Sequence, residues 1–222
     1  MARLVLVRHG ESSWNAERRI QGQQGTGLSE RGQRQAELTA TWMGASFAGA
    51  RVVASDLERC LATAEPIAAA IGAVIAVEPG LRERDFGRWS GQLTTEVHVE
   101  DPELAARWRA GEDIVAEVGG EGTVPFTERV VSALRRIAES DDHAEPVVCV
   151  THGGPIWHGV RALVGVGTTA LGPVANCSIT ELEVAHDGTA RLITWNQSAH
   201  LPPELRTFLP RAADREAPPV GR

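Results

Sequence analysis

Two histidines of this 222-residue chain stand in matching surroundings. His9 follows the apolar run Leu4-Val5-Leu6-Val7 and Arg8, and precedes Gly10. His152 follows Val147-Val148-Cys149-Val150 and Thr151, and precedes Gly153-Gly154. A third short run, Arg51-Val52-Val53-Ala54, delivers Ser55-Asp56 and, shortly after, Arg59. Two imidazoles, two guanidiniums and a carboxylate, without a cysteine pair or an acidic cluster for magnesium, suit a phosphate monoester attacked by imidazole. His9 would be the nucleophile. Arg8 and Arg59 can grip phosphate oxygens bidentately, and His152 can add a cationic donor where charge accumulates. Phosphoryl transfer asks mainly for positioning and electrostatics, which such a cluster supplies. A separate carboxylic acid must protonate the leaving alkoxide and then deprotonate the attacking water. Glu83 is the leading candidate, with Glu11 and Asp56 as weaker ones.

The elements that must hold these groups follow from periodicity. A short apolar run without alternation, bounded by glycine, reads as a strand buried on both faces, the habit of parallel sheets covered by helices. Groups at the carboxyl ends of such strands stand in the ligand crevice. Residues 22–27 carry three glycines and form a flexible loop whose backbone can approach a ligand. Ser29 caps a predicted helix running to about Phe47. Leu57, Leu61, Ala64, Ala68 and Ile71 make the apolar stripe of the next helix. Arg59 lies two residues from Leu57, about 200° around the axis, and is expected off that stripe. It sits in the first turn, where the amide dipole disfavours a cation. A bound anion would account for that placement, and a salt bridge to Glu58 or Asp56 would do so equally.

Residues 73–77 read as a further strand and residues 81–91 as an ordered loop. Asp101-Pro102 signals a cap and first helical position for a short helix through Trp108. Pro125 opens a helix with Phe126, Val130, Leu134 and Ile137 on one face. Two last strands, over 178–184 and 191–195, join through the hairpin signal Asp187-Gly188. From Pro202 onward the chain is rich in proline and arginine. An irregular tail is expected there, its final ten or so residues disordered.

Composition narrows the partners. The net charge of −7 argues against a nucleic-acid backbone or an anionic membrane, so an anionic ligand must be held by a few converging cations. Every basic residue is arginine, so no Schiff-base or P-loop lysine exists. Cys60, Cys149 and Cys177 are widely spaced and suggest neither a disulfide framework nor a zinc ribbon. No leader or membrane-length apolar run is seen, which predicts a soluble, cytoplasmic protein.

The motifs resemble the histidine phosphatase superfamily, in its phosphoglycerate-mutase-like branch. The blocks are Arg8-His9-Gly10-Glu11 with Asn15; Gln21-Gly22; Leu28-Ser29-Glu30-Arg31-Gly32; and Ser55-Asp56-Leu57-Glu58-Arg59 with Thr63-Ala64. They continue in order with Leu81-x-Glu83-x-x-Phe86-Gly87-x-Trp89-x-Gly91, Gly119-Gly120-Glu121, Thr151-His152-Gly153-Gly154 and Asn176-x-Ser178. The resemblance spans about residues 3–200. It implies a three-layer α/β/α sandwich with a mostly parallel central sheet. It also implies a phosphohistidine on His9, a phosphate pocket of Arg8, Arg59 and His152, and Glu83 as proton donor. By the same resemblance Asn15, Gln21, Gly22 and the backbone of Gly153 line the pocket, and neither metal nor cofactor is required. One domain over 1–201 is expected, with a lid at about 84–124 and the tail at 202–222.

After Gln21-Gly22 the family usually has an aspartate and a proline where this chain has Gly25 and Gly27, which predicts a looser loop. Cofactor-dependent mutases of the family carry a longer insert with a lysine and a tyrosine, and this chain has neither residue type. A phosphomonoesterase acting on a small phosphorylated metabolite is therefore the expected activity. A mutase-type phosphoryl transferase and a non-catalytic phosphate-binding scaffold are the alternatives. Some members of the family dimerise, and no surface stripe here decides between monomer and homodimer. Arg84, Arg88 and Trp108 of the lid are candidates for touching the leaving group, each with an ordinary packing role as its alternative. His143, His158, His186 and His200 are assigned no role.

Overall fold

Strand β1 (Ala2–Arg8) lies inside a six-stranded sheet of order β3-β2-β4-β1-β5-β6. β2 (Arg51–Ala54), β3 (Ile75–Val77) and β4 (Val147–Thr151) run parallel to it. β5 (Ile179–Val184) and β6 (Ala190–Gln197) form the expected hairpin and run antiparallel at one edge. The structure, a computed structural model, describes residues 1–139 and 145–207. His143 and the chain beyond Thr207 lie outside the described residues.

The architecture is the three-layer α/β/α sandwich that the motifs imply. Leu4, Val5, Leu6 and Val7 are all fully buried, because alternate residues meet different helical layers. Leu4 and Leu6 pack with Val147, Cys149 and Leu182 under α6 (Thr123–Glu139) and α7 (Gly153–Val164). Val5 and Val7 pack with Val52, Val148 and Val150 under α2 (Glu30–Ser46) and α3 (Glu58–Ile71). Burying such a side chain is worth roughly 1.5–3 kcal/mol. That burial anchors the strand whose last residues must hold a cation and an imidazole away from water.

Ser29 accepts from Gly32 N and caps α2 as its position predicts. The turn α1 (Ser13–Ala16) is capped by Ser12. A third, smaller core gathers Trp89, Val97, Ala105, Ile114, Val115 and Val118, with Ile20 packed against them from the loop after α1. It is built from α4 (Thr94–Glu100), α5 (Pro102–Arg109) and two short 3₁₀ turns. Helix α4 forms in spite of the β-branched Thr94, Thr95, Val97 and Val99, in a stretch where no element is predicted from sequence. Asp101 does precede α5, with Pro102 at its first position, but its carboxylate does not cap the helix. It accepts instead from Trp89 Nε1 at 2.7 Å and from Arg88.

The described start of the tail packs against the body. Gln35 Nε2 donates to Leu205 O, Arg31 to Arg206 O, and Thr207 Oγ1 to Asn176 Oδ1. Among the described residues no helix is long and apolar enough to cross a membrane.

Candidate active site

Strands β2, β4 and β1 are neighbours, so Ser55, His152 and His9 leave the sheet side by side at its carboxyl edge. The imidazoles of His9 and His152 meet edge to face, 5.1 Å between centroids. His9 is buried and its Nδ1 lies 2.7 Å from the carbonyl oxygen of Gly10. A carbonyl only accepts, so Nδ1 carries the proton and Nε2 keeps its lone pair. Burial, then the charges of Arg59 and Arg8, hold the His9 pKa well below the ordinary histidine value, which keeps the ring neutral.

His152 is fully buried, with Nε2 2.9 Å from Ser55 Oγ and 3.3 Å from Cys60 Sγ. Burial first, then Arg59, His9 and Arg8, hold it neutral too. Burial likewise pushes the Cys60 thiol far up, so it is a neutral neighbour rather than a thiolate.

Arg8 donates from Nη1 to Val174 O at 2.6 Å. Arg59 donates to Gly22 O at 2.7 Å and to Gln24 O at 2.9 Å. The buried Nε of each has no hydrogen-bond partner among the described residues. Two desolvated guanidiniums with spare donors beside neutral rings form a strong anion site. Arg59 is only 2% exposed, which differs from its expected position off the buried stripe. The buried face of α3 takes in Arg59, Cys60 and Thr63 as well as Ala64 and Ile67, because its first turns border the site as well as the apolar core. Neither Glu58 nor Asp56 is its hydrogen-bond partner in the structure: its bonds run to the 22–24 backbone. Those bonds also tether a loop expected to be loose.

Glu83 reaches in from the 81–91 loop. Its Oε1 accepts from Arg84 N at 2.8 Å and its Oε2 from Gly154 N at 3.1 Å, at the amino end of α7. The two weaker acid candidates are engaged elsewhere. Asp56 pairs with both Nε and Nη2 of Arg82, which lowers its pKa. Glu11 accepts from Ser29 Oγ and lies 3.9 Å from Arg31, at the start of α2.

The remaining predicted residues sit around this cluster with their own bonds made. Gln21 Oε1 accepts from Ser12 Oγ, and Asn15 Oδ1 accepts from Ser12 N. Gly153 faces Arg8, 3.5 Å from the Nε of which a Cβ would stand. Asn176, singled out only as part of a motif, donates to His9 O at 3.1 Å and to Asn15 Oδ1. Its link across 167 residues of sequence has no periodic signal. The arginines of residues 84–107 are paired: Arg84 with Asp113, Arg88 with Asp101, and Arg107 with Glu112 and Glu117. Trp108 packs on Phe86 and Trp89. Among the described residues no three His, Cys, Asp or Glu side chains converge as metal ligands would.

The profile of the histidine phosphatase superfamily (branch 1) matches residues 4–198. The chain is 34% identical over 218 residues to the glucosyl-3-phosphoglycerate phosphatase of Mycobacterium tuberculosis, covering 90% of this chain and 96% of that one. It is 33% identical over 218 residues to a metal-independent phosphoserine phosphatase of Arabidopsis thaliana, covering 97% and 89%. The solved mycobacterial glucosyl-3-phosphoglycerate phosphatase complexed with VO3 superposes with a TM-score of 0.79 at 34% identity, covering 89% of this chain and all of the other. The protein belongs to the histidine phosphatase superfamily. Its class is accordingly phosphoric monoester hydrolase.

Proposed function

We propose that the protein hydrolyses a small phosphorylated metabolite through a phosphohistidine on His9, with Glu83 as general acid and base. The observation that carries this reading is the His9 Nδ1–Gly10 bond, which leaves the Nε2 lone pair free close to two arginines with unused Nε donors. In the first step Nε2 bonds to phosphorus while the ester P–O bond breaks, and the alkoxide takes the proton of Glu83. In the second, the Glu83 carboxylate takes a proton from water, whose oxygen bonds to phosphorus as the P–N bond breaks. Orthophosphate leaves, and His9 and protonated Glu83 are restored. Arg8 and Arg59 hold the phosphoryl oxygens throughout. His152, neutral in the free site, donates to the same oxygens and takes up a proton only when the phosphate charge offsets Arg8 and Arg59.

The substrate class is supported by the two curated relatives, whose names carry small phosphate esters, and by the pairing of the lid arginines with lid carboxylates. As part of the same proposal, residues 1–201 form one domain with 84–124 as its lid. A cytoplasmic setting is supported by three buried, unbridged cysteines, and cell fractionation checks it.

The test is phosphate release from a panel of phosphorylated metabolites, with and without chelator, by wild type and His9→Ala. Chelator-insensitive release, absent in His9→Ala, with an acid-labile phosphoryl group trapped on His9, is the expected result. Full activity in His9→Ala sinks the mechanism. Return of the phosphoryl group to an isomeric hydroxyl, in place of orthophosphate, would move the reading to a mutase.

A further inference from the structure

The Gly119-Gly120-Glu121 motif takes no part in the chemistry above, yet it lies against the segment that carries Glu83. Glu121 N donates to Asp85 O at 2.9 Å, and Glu121 O accepts from Arg84 Nε at 2.6 Å. The backbone approach is close enough that a Cβ on Gly120 would stand 2.5 Å from Asp85 O. The Glu121 carboxylate turns the other way, to Arg129 on α6, accepting from Nε at 2.9 Å and from Nη2 at 2.7 Å.

Arg129 then spends its remaining donors on the stretch leading into the acid. Nη1 donates to Gly80 O at 2.9 Å and Arg82 O at 3.0 Å, and Nη2 to Glu83 O at 3.3 Å. Five N–H groups meet five acceptors, which is the full capacity of a guanidinium. The side chains are only 25% and 19% exposed, so these bonds are made largely out of water. No helix or strand fixes residues 82–86; bonds to Glu121 and Arg129 hold their backbone, beside the side-chain pairs Arg82–Asp56 and Arg84–Asp113.

We propose that Arg129 and Glu121 are positioning residues for Glu83: a bidentate ion pair that clamps the backbone of residues 80–85 to α6 and so sets where the acid's carboxyl group stands. The inference rests on Glu83 being the general acid. Its chemical consequence is selective. A poor leaving group needs a proton from Glu83, whereas a good one such as p-nitrophenolate departs without it. Displacing the acid therefore harms alkyl esters and spares aryl esters. Arg129 also contributes positive charge near His152, and a lysine keeps that charge while losing the planar five-donor geometry.

The experiment measures kcat/KM, which reports steps through leaving-group departure, for p-nitrophenyl phosphate and for glycerol 1-phosphate. The variants are Glu83→Gln, Arg129→Met, Arg129→Lys, Glu121→Gln and Arg129→Met with Glu83→Gln. Arg129→Met should lose on the order of 10²-fold toward the alkyl ester and less than about threefold toward the aryl ester. Arg129→Lys should recover little of the loss, and Glu121→Gln should show the same asymmetry more weakly. The double variant should be no worse than Glu83→Gln alone, because the clamp acts only through the acid. Equal losses for both esters, full rescue by lysine, or additive losses in the double variant would each overturn the proposal. Should Arg129→Met fail to fold, Glu121→Gln and Arg129→Lys give the same reading. If Glu83→Gln itself lacks the asymmetry, the acid assignment fails instead.

Discussion

Glu83 and Gly154 touch so closely that a Cβ on the glycine would overlap Oε1 of the carboxylate, while the glycine N–H donates to Oε2 at 3.1 Å. The amino end of α7 thus cradles the acid with a backbone donor and a favourable dipole. Any side chain at 154 must push the carboxylate out. Gly154→Ala should therefore reproduce the Glu83→Gln phenotype in part, with a loss of about 10²-fold toward alkyl phosphates and little loss toward p-nitrophenyl phosphate. Steady-state kinetics on both esters decide it, and an unchanged alkyl rate would show that the contact does not set the acid's position.

Arg59 serves two ends of one guanidinium. Its Nη atoms hold Gly22 O and Gln24 O, and its Nε is free to face phosphate. Lysine keeps the charge but cannot hold two carbonyls and an oxyanion in one plane. Arg59→Lys should lower kcat/KM by about 10²–10³-fold, as the loss of a preorganised oxyanion donor does. It should also weaken product inhibition by orthophosphate, since ground-state phosphate uses the same donor. Retention of near-native inhibition by orthophosphate would confine Arg59 to tethering the loop.

Much of this site was legible in the sequence because its members follow apolar runs directly. Arg8-His9, Ser55 and Thr151-His152 each close a strand, and strands β1, β4 and β2 are neighbours. Glu83 was reached by chemistry and resemblance rather than by pattern. What sequence could not carry is the side-chain bonding that crosses elements. Arg59 was expected off the buried stripe because an apolar stripe counts only apolar residues, while the first turns of α3 bury Arg59, Cys60 and Thr63 toward the site. Asp101 reads locally as a cap, yet Trp89, the largest fully buried side chain of the third core, claims its oxygen. The Glu121–Arg129 pair spans a loop and a helix, eight residues apart, and leaves no periodic trace.

The histidines also set a pH limit on the fold. His9 and His152 are held well below the ordinary value by burial and neighbouring arginines, and burial lowers His158 and His200 to about 4. Each ring is neutral in the folded protein at a pH where it is protonated in the unfolded chain. The unfolded state therefore binds more protons as pH falls through about 6.5, and stability drops from there until the folded-state values are reached. Above about pH 7 these groups contribute no slope. Thermal unfolding followed from pH 8 to 4.5 should show a level melting temperature at the alkaline end and a steady fall below about 6.5. His200→Gln, which removes one such group packed on Trp42, should make that fall shallower. A melting temperature that stays level down to pH 5 would mean that these rings take up protons within the fold, and that the neutral state drawn for His9 does not survive outside neutral solution.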